Sequence, residues 1–377
     1  METQTNYNKR ILYLDILRAI AIISITFNHA VNRSFAIYSG QFLEFQDIPL
    51  YLTIIKVVLY AFSRIGVPLF VMITGALLLS RDYSEDEGSI SRFIKHNWLS
   101  LFVTTEIWLA IMFWYMQLSP QSILFTRGLL HTIARFGLTL LFLNPITMGS
   151  MWYMEMILCV YLLIPVIAIA IKKIRFKYFL IPMIIVIFCS YILPDVNGII
   201  GAIGLDFSFE TKLTSANVFS MYVVYLLFGY YISKGALAQV PAKILWFVLM
   251  AAFVGFCVFQ TWFYSVEYNF VVAEGDRSIF PMVIAVVLFE LVRRYKTGKN
   301  EVLEKLAIKL SIISFGIYFV HICIMQGLNT LIGHFGPNIV LLQKFILLES
   351  VSLFGSIIII YLCCKNKLMK KYLFHIK

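Results

Sequence analysis

"LRAIAIISITFNHA" (Leu17–Ala30) decides the fold class, because it is a long apolar stretch that nevertheless contains an arginine and a histidine. It lies within an apolar run of the roughly 20 residues that a membrane-spanning helix requires. The chain of 377 residues is 60% hydrophobic and 14% charged, whereas soluble domains contain about 25% charged residues. The sequence therefore predicts an all-α, polytopic membrane protein.

The apolar runs predict about ten transmembrane helices. Their ranges are 11–31, 52–79, 94–117, 151–171, 178–194, 218–233, 243–264, 278–293, 310–333 and 339–364. No cleavage-site pattern follows the polar N-terminus, so the first helix is predicted to stay in the membrane. The segment 118–150 is predicted to form amphipathic or re-entrant helices on the outer side, because an eleventh span would invert every later loop.

The net charge of +11 is an orientation signal. With the N-terminus in the cytoplasm, most of the 31 Lys and Arg residues fall in or beside cytoplasmic segments, as the positive-inside rule requires. We therefore expect cytoplasmic residues 1–10, a basic cytoplasmic tail at 365–377, and one integral membrane domain over 1–377. The placement argues against nucleic acid as a partner and leaves contacts with anionic lipid or a phosphate-bearing ligand open.

Two ionisable residues of the first predicted helix share one face. Arg18 and His29 are eleven residues apart, which places them within about 20° of each other and about 16 Å apart along the axis. Histidine can accept a proton from a hydroxyl near neutral pH, and arginine can hold a phosphate or carbonyl oxygen. The alternative is that each side chain merely reaches its nearer membrane surface. A charged group inside a membrane helix usually faces a cavity or a partner.

Three other sites carry candidate binding residues. Arg64 lies deep in the second predicted helix, either capped structurally by carbonyls or facing the cavity of the first helix. Arg92 and Lys95, three residues apart before the third helix, could bind a nucleotide phosphate or could be ordinary flanking charges. In the ninth helix Ser314, Tyr318 and His321 recur at helical spacing and form a second polar stripe. No His or Cys residues have metal-ligand spacing, so no metal site is predicted.

The ordered set of motifs resembles the acyltransferase-3 family of membrane acyltransferases. The signature of that family is an Arg and a His separated by ten residues in the first helix, which Arg18 and His29 match. The other matching stretches are "RIGVPLFVMITGALLL" (64–79), the basic pair Arg92 and Lys95, "MWYMEMILCVYLLIPVI" (151–167) with Trp152, Tyr161 and Pro165, and "SFGIYFVH" (314–321).

The resemblance implies an O-acyltransferase, most often an O-acetyltransferase. Its donor would be cytoplasmic acyl-CoA, usually acetyl-CoA. The protein would hold no permanent cofactor. Its acceptor would be a hydroxyl of a surface glycan or of a lipid-linked sugar precursor, in the plasma membrane of a bacterium. Arg18 would hold the donor, and His29 would act as general base or transient acyl carrier. Donor or acceptor binding would involve Arg64, Arg92, Lys95, Trp152, Tyr161, Tyr318 and His321.

Two other classes of function are compatible with the buried charges. Proton-coupled secondary transporters of small solutes also use buried Arg, His and Glu residues. The chain halves show no inverted repeat and no paired broken helices, which are typical of such transporters. A non-enzymatic scaffold or sensor would have no use for Arg64 or for the stripe of Arg18 and His29. The sequence therefore favours an acyltransferase over both alternatives.

Overall fold

The computed structural model describes residues 10–35, 49–83, 87–119, 122–143, 151–205, 207–209, 218–266, 278–335 and 340–376. Within these ranges the chain is helical and forms no β-strand, which confirms the all-α prediction. The helices are α1 (Leu12–Ser34), α2 (Leu50–Ser63), α3 (Gly66–Leu78), α4 (Glu87–Phe93), α5 (Leu99–Met116), α6 (Ile123–Arg127), α7 (Leu129–Leu140), α8 (Trp152–Lys173), α9 (Lys177–Ile187), α10 (Leu193–Ala202), α11 (Val218–Ser233), α12 (Ala242–Val266), α13 (Ile279–Arg293), α14 (Glu301–Phe335), α15 (Leu341–Cys363) and α16 (Lys367–Tyr372).

A helix occupies each of the ten predicted transmembrane positions, and the protein is a multi-pass membrane protein. Eight helical segments of the described chain are long and apolar enough to cross a membrane. Some of these segments join two helices: α2 continues into α3, and π-helical turns connect α4 to α5 and α9 to α10. The other two predicted spans, α11 and α13, are shorter, with 16 and 15 residues.

Helix α1 lies at the centre of the bundle. It packs against α14, α3, α15, α2 and α13. Leu17, Ala21 and Ile22 on α1 are completely buried. Most of α1 is therefore covered by other helices. This arrangement places the predicted stripe of Arg18 and His29 inside the protein.

The second predicted helix, 52–79, is interrupted by a turn in the structure. Helix α2 ends at Ser63 and α3 begins at Gly66. Pro68 has no N–H, so it cannot bond the carbonyl of Arg64 four residues earlier. The Ser24 hydroxyl lies 3.0 Å from the carbonyl oxygens of both Phe62 and Ser63, and it supplies a donor at the break.

The segment between α5 and α8 contains only short helices in its described part. Helices α6 and α7 have 5 and 12 residues, fewer than the roughly 20 that a span requires. Helix α7 packs on α5, where Phe136 contacts Phe113 and Trp114. This agrees with the prediction of amphipathic helices beside the bundle; residues 120–121 and 144–150 lie outside the described part.

Candidate active site

A cavity of about 420 Å³ opens within the bundle at the Arg18 end of α1, which the charge distribution predicts to be cytoplasmic. Its size falls in the range of small-molecule sites, roughly 300–1,000 Å³. Three of the predicted site residues, Arg18, Tyr161 and Tyr318, line it together. Ser314, from the predicted polar stripe of the ninth helix, also lines it. The other polar residues of the lining were not predicted from the sequence: Thr74, Arg81, His96, Asn97, Tyr153, Ser311 and His375.

A buried carboxylate holds Arg18 in this cavity. Asp15 is only 2% exposed, and its Oδ1 lies 3.5 Å from Nη1 of Arg18. Arg10 donates to both carboxylate oxygens, at 3.0 and 3.1 Å. The Ser311 hydroxyl donates to Asp15 at 2.5 Å and lies 3.4 Å from Arg18. Asp15 was not among the predicted site residues, although an acid three residues before Arg18 is positioned to pair with it on a helix.

The two predicted histidines meet at the other end of the site. The ring centroids of His29 on α1 and His321 on α14 are 5.3 Å apart. Nδ1 of His321 lies 2.7 Å from the carbonyl oxygen of Ile317, which can only accept a hydrogen bond. Nδ1 therefore carries the proton, and Nε2 keeps its lone pair. Nε2 is buried and has no hydrogen-bond partner among the described residues, so it is available as a base.

Polar side chains surround the histidine pair. Asn32 donates to Asn28 at 3.2 Å, and Arg33 reaches the His29 carbonyl and the Gln326 side chain at 3.4 Å each. These residues extend the polar face of α1 beyond His29. The pair is thus bordered by hydrogen-bonding groups that could contact a hydroxylated molecule.

Arg64 lies near the histidine pair and not in the Arg18 cavity. It is 4% exposed, and its guanidinium stacks on the Tyr60 ring, 4.1 Å from the ring centre. Arg64 is close enough to act electrostatically on the His29 imidazole. Arg64 therefore lies on the His29 side of α1, and its part in the site stays a prediction. Its position follows from the break after Ser63, which the sequence did not predict.

One face of α14 links the two ends of the site. Ser311, Ser314, Tyr318 and His321 follow one another at helical spacing over about 15 Å. The first three line the cavity, and the Tyr318 and His321 ring centroids are 6.5 Å apart. Tyr153 packs edge-on against Tyr318, with ring centroids 5.6 Å apart. The cavity thus ends at these two tyrosines, next to the histidine pair.

Besides Arg64 and His321, three further predicted binding residues lie outside the cavity lining. Arg92 and Lys95 are exposed, and they are separated by the start of a π-helical turn, Ile94–Trp98. The turn places His96 and Asn97 on the cavity instead. A π-helical turn shifts the register of all residues after it, so α-helical spacing did not predict this exchange. Trp152 is partly exposed and packs against Tyr222 at 5.8 Å.

The described residues contain no group of three His, Cys, Asp or Glu side chains that could hold a metal ion.

His375, in the segment after α16, is outside the membrane-spanning helices, and burial lowers the pKa of its imidazole. The fixed positive charge on the cavity wall therefore comes from Arg18 and Arg81.

Comparison with known families gives one result. The sequence profile of the acyltransferase-3 family, described as the acyltransferase domain, matches residues 11–365. No curated protein and no solved structure matches the chain. The match covers nearly the whole chain and includes Arg18, His29 and His321. The chain therefore belongs to the acyltransferase-3 family, and it is a membrane acyltransferase.

Proposed function

We propose that this protein transfers an acyl group, typically acetyl, from acyl-CoA to a hydroxyl group on the opposite side of the membrane. The donor occupies the cavity that contains Arg18 and Arg81. The acceptor hydroxyl reaches the pair of His29 and His321. The acceptor is a surface glycan or its lipid-linked precursor, and the protein lies in the plasma membrane of a bacterium.

The observation that carries this proposal is the continuous polar face of α14. This face runs for about 15 Å from Ser311, beside Arg18 in the positively charged cavity, to His321, a buried histidine with a free lone pair. An elongated thioester donor needs these two features: charge for its phosphates and a base near its reactive end. The cavity is large enough for part of such a donor, and it ends at Tyr153 and Tyr318, next to the histidine pair.

The proposed chemistry is a transfer from sulfur to oxygen. The acceptor oxygen bonds to the thioester carbonyl carbon, and the carbon–sulfur bond breaks. The proton of the hydroxyl passes to the histidine pair, and the departing CoA sulfur then takes it up. Nε2 of His321 can accept this proton because Nδ1 is held by the Ile317 carbonyl.

The test is release of CoA from acetyl-CoA by the purified protein in lipid nanodiscs, with hydroxyl-bearing glycans added. We expect acceptor-dependent CoA release and acetyl ester formation. In sealed vesicles, transfer is expected only when acetyl-CoA is on the Arg18 side and the glycan is on the other. Failure to release CoA with any glycan or membrane extract, together with solute counterflow, would indicate the transporter alternative instead.

Replacing Asp15 with asparagine is expected to raise KM for acetyl-CoA about tenfold, with a smaller change in kcat. The carboxylate fixes Arg18 through charge-assisted hydrogen bonds, each worth about 1.5–3 kcal/mol, and about 1.4 kcal/mol corresponds to a factor of ten in affinity. Steady-state kinetics would measure this split. The matched control is Glu301→Gln, an exposed acid on α14 that pairs with Lys305. Equal effects of both changes on KM would argue against a positioning role of Asp15.

A further inference from the structure

The chain after α15 folds back onto the bundle and does not extend away from it. This segment, Lys365–Ile376, is called the C-terminal segment below. The Thr104 hydroxyl donates to the carbonyl of Tyr372 at 2.8 Å, and Nε1 of Trp108 donates to the carbonyl of Leu373 at 3.0 Å. Thr104 also contacts Nε2 of His375 at 2.6 Å. Two side chains of α5 therefore anchor the segment.

Two residues of the C-terminal segment form part of the cavity wall. Phe374 and His375 line the same cavity as Arg18. Phe374 is only 2% exposed and packs on Trp108, with ring centroids 6.1 Å apart. A side chain at Gly316 on α14 would meet the Phe374 ring at 2.8 Å, so the segment fits tightly against α14. These two residues lie beyond residue 365, where the family match ends.

The C-terminal segment carries a concentration of positive charge. No acidic residue follows Glu349, and the segment contains four described lysines: Lys365, Lys367, Lys370 and Lys371. The N–H of Ile376 bonds the carbonyl of Lys370 at 3.1 Å. The chain therefore turns back between these residues, which brings the backbone of Lys370 beside Ile376, the neighbour of His375 in the cavity wall.

We propose that the C-terminal segment completes the donor site, with Phe374 and His375 as its wall and Lys370 and Lys371 binding phosphate groups of the donor. This inference rests on the proposed function, because the donor must carry phosphates outside the cavity and a thioester within it. An acyl-CoA has both parts. Lysine ammonium groups bind phosphate as point charges and need no fixed geometry, which suits the rim of an open cavity.

The phosphates of a membrane lipid offer the same chemistry as those of the donor. Lysines close to a membrane surface are attracted to anionic headgroups. The two sources differ in one measurable respect. If the lysines bind a phosphate of CoA, removing them weakens the affinity for CoA in any lipid. If they bind lipid headgroups, removing them changes this affinity only when anionic lipid is present.

The first experiment measures the Kd of CoA in nanodiscs made of phosphatidylcholine alone. We compare wild type with the double variant Lys370→Ala and Lys371→Ala. We expect affinity to fall about tenfold in this variant, as for the loss of one to two charge-assisted contacts. Affinity for pantetheine, which lacks the nucleotide, should not change. The control is Lys296→Ala with Lys299→Ala, two exposed lysines of the loop between α13 and α14, outside the C-terminal segment.

A second experiment releases the segment without altering its charge. Thr104→Val with Trp108→Phe removes the donors to Tyr372 and Leu373 and keeps all the lysines. Trypsin should then cut faster after Lys370 and Lys371, and affinity for CoA should fall as in the lysine variant. Bound CoA should slow this cleavage in wild type. Trypsin cleavage is a readout of the segment that does not depend on catalytic turnover.

The outcomes separate the two proposals. If wild type binds CoA and the lysine variant binds it equally well, the inference about the segment is overturned and the proposed function stands. If the loss of affinity occurs only in nanodiscs containing phosphatidylglycerol, the lysines bind lipid headgroups and the inference is also overturned. If wild type binds no acyl-CoA or CoA at all, the proposed donor itself is wrong.

Discussion

Replacing His321 with alanine is expected to lower kcat for acyl transfer by about 10²- to 10⁴-fold, the usual contribution of a positioned general base. The reason is geometric. The Ile317 carbonyl holds Nδ1 of His321 and leaves Nε2 with its lone pair inside the protein. The centroids of the His321 and His29 rings are 5.3 Å apart. Rates of CoA release and of ester formation with saturating acetyl-CoA would measure the loss, with a thermal unfolding curve to establish that the variant is folded.

The same substitution at His29 is expected to cause a loss of similar size, because the two rings act on one proton. The double variant should then lose little more than either single variant, as is usual for groups that act as a unit. His334→Ala is the control, since this histidine lies exposed on the same helix as His321. A His321 variant that turned over as fast as the His334 variant would remove the histidine pair from the mechanism.

Helical spacing was enough to predict which polar residues share a face. Arg18 and His29 lie on one side of α1, and the residues from Ser314 to His321 lie on one side of α14. Both predictions depend only on the period of the helix, which is local. That the two faces meet, and that His29 therefore touches His321, depends on packing of helices nearly 300 residues apart in the chain. No single-helix pattern contains this information.

The site residues that were not predicted from the sequence have their positions for one shared physical reason. Asp15 is close to Arg18 in the chain, but its contact with Ser311 belongs to the packing of α1 on α14. His96 reaches the cavity through a π-helical turn, which α-helical spacing does not describe. His375 reaches it because the C-terminal segment folds back onto α5. In each case a change of register or a distant contact decides the position of the side chain.

Gly75→Ala and Gly229→Ala are each expected to destabilise the protein by about 3 kcal/mol or more, because overpacking at a rigid contact costs typically 1–3 kcal/mol and occasionally more. A Cβ at Gly75 on α3 would overlap the carbonyl oxygen of Leu226 on α11. A Cβ at Gly229 would overlap the carbonyl oxygen of Met72 in the same way. Both obstacles are backbone atoms, so a change of side-chain rotamer cannot relieve them. Unfolding by SDS titration in mixed micelles would measure the change.

Gly333→Ala is the matched control for this pair of substitutions. Gly333 is also inside a helix, α14, but a Cβ there meets nothing within 4 Å. The change should stabilise the protein by about 0.5–1 kcal/mol, since glycine is a poorer helix former than alanine. Helix propensity favours alanine at all three positions, so the opposite sign at Gly75 and Gly229 comes from the neighbouring backbone.

The contact of α3 with α11 also helps to position the cavity, because α3 supplies Thr74 to the cavity beside Gly75. A folded Gly75→Ala protein with unchanged stability would mean that α3 and α11 are not in backbone contact, and the position of Thr74 in the site would then also be wrong.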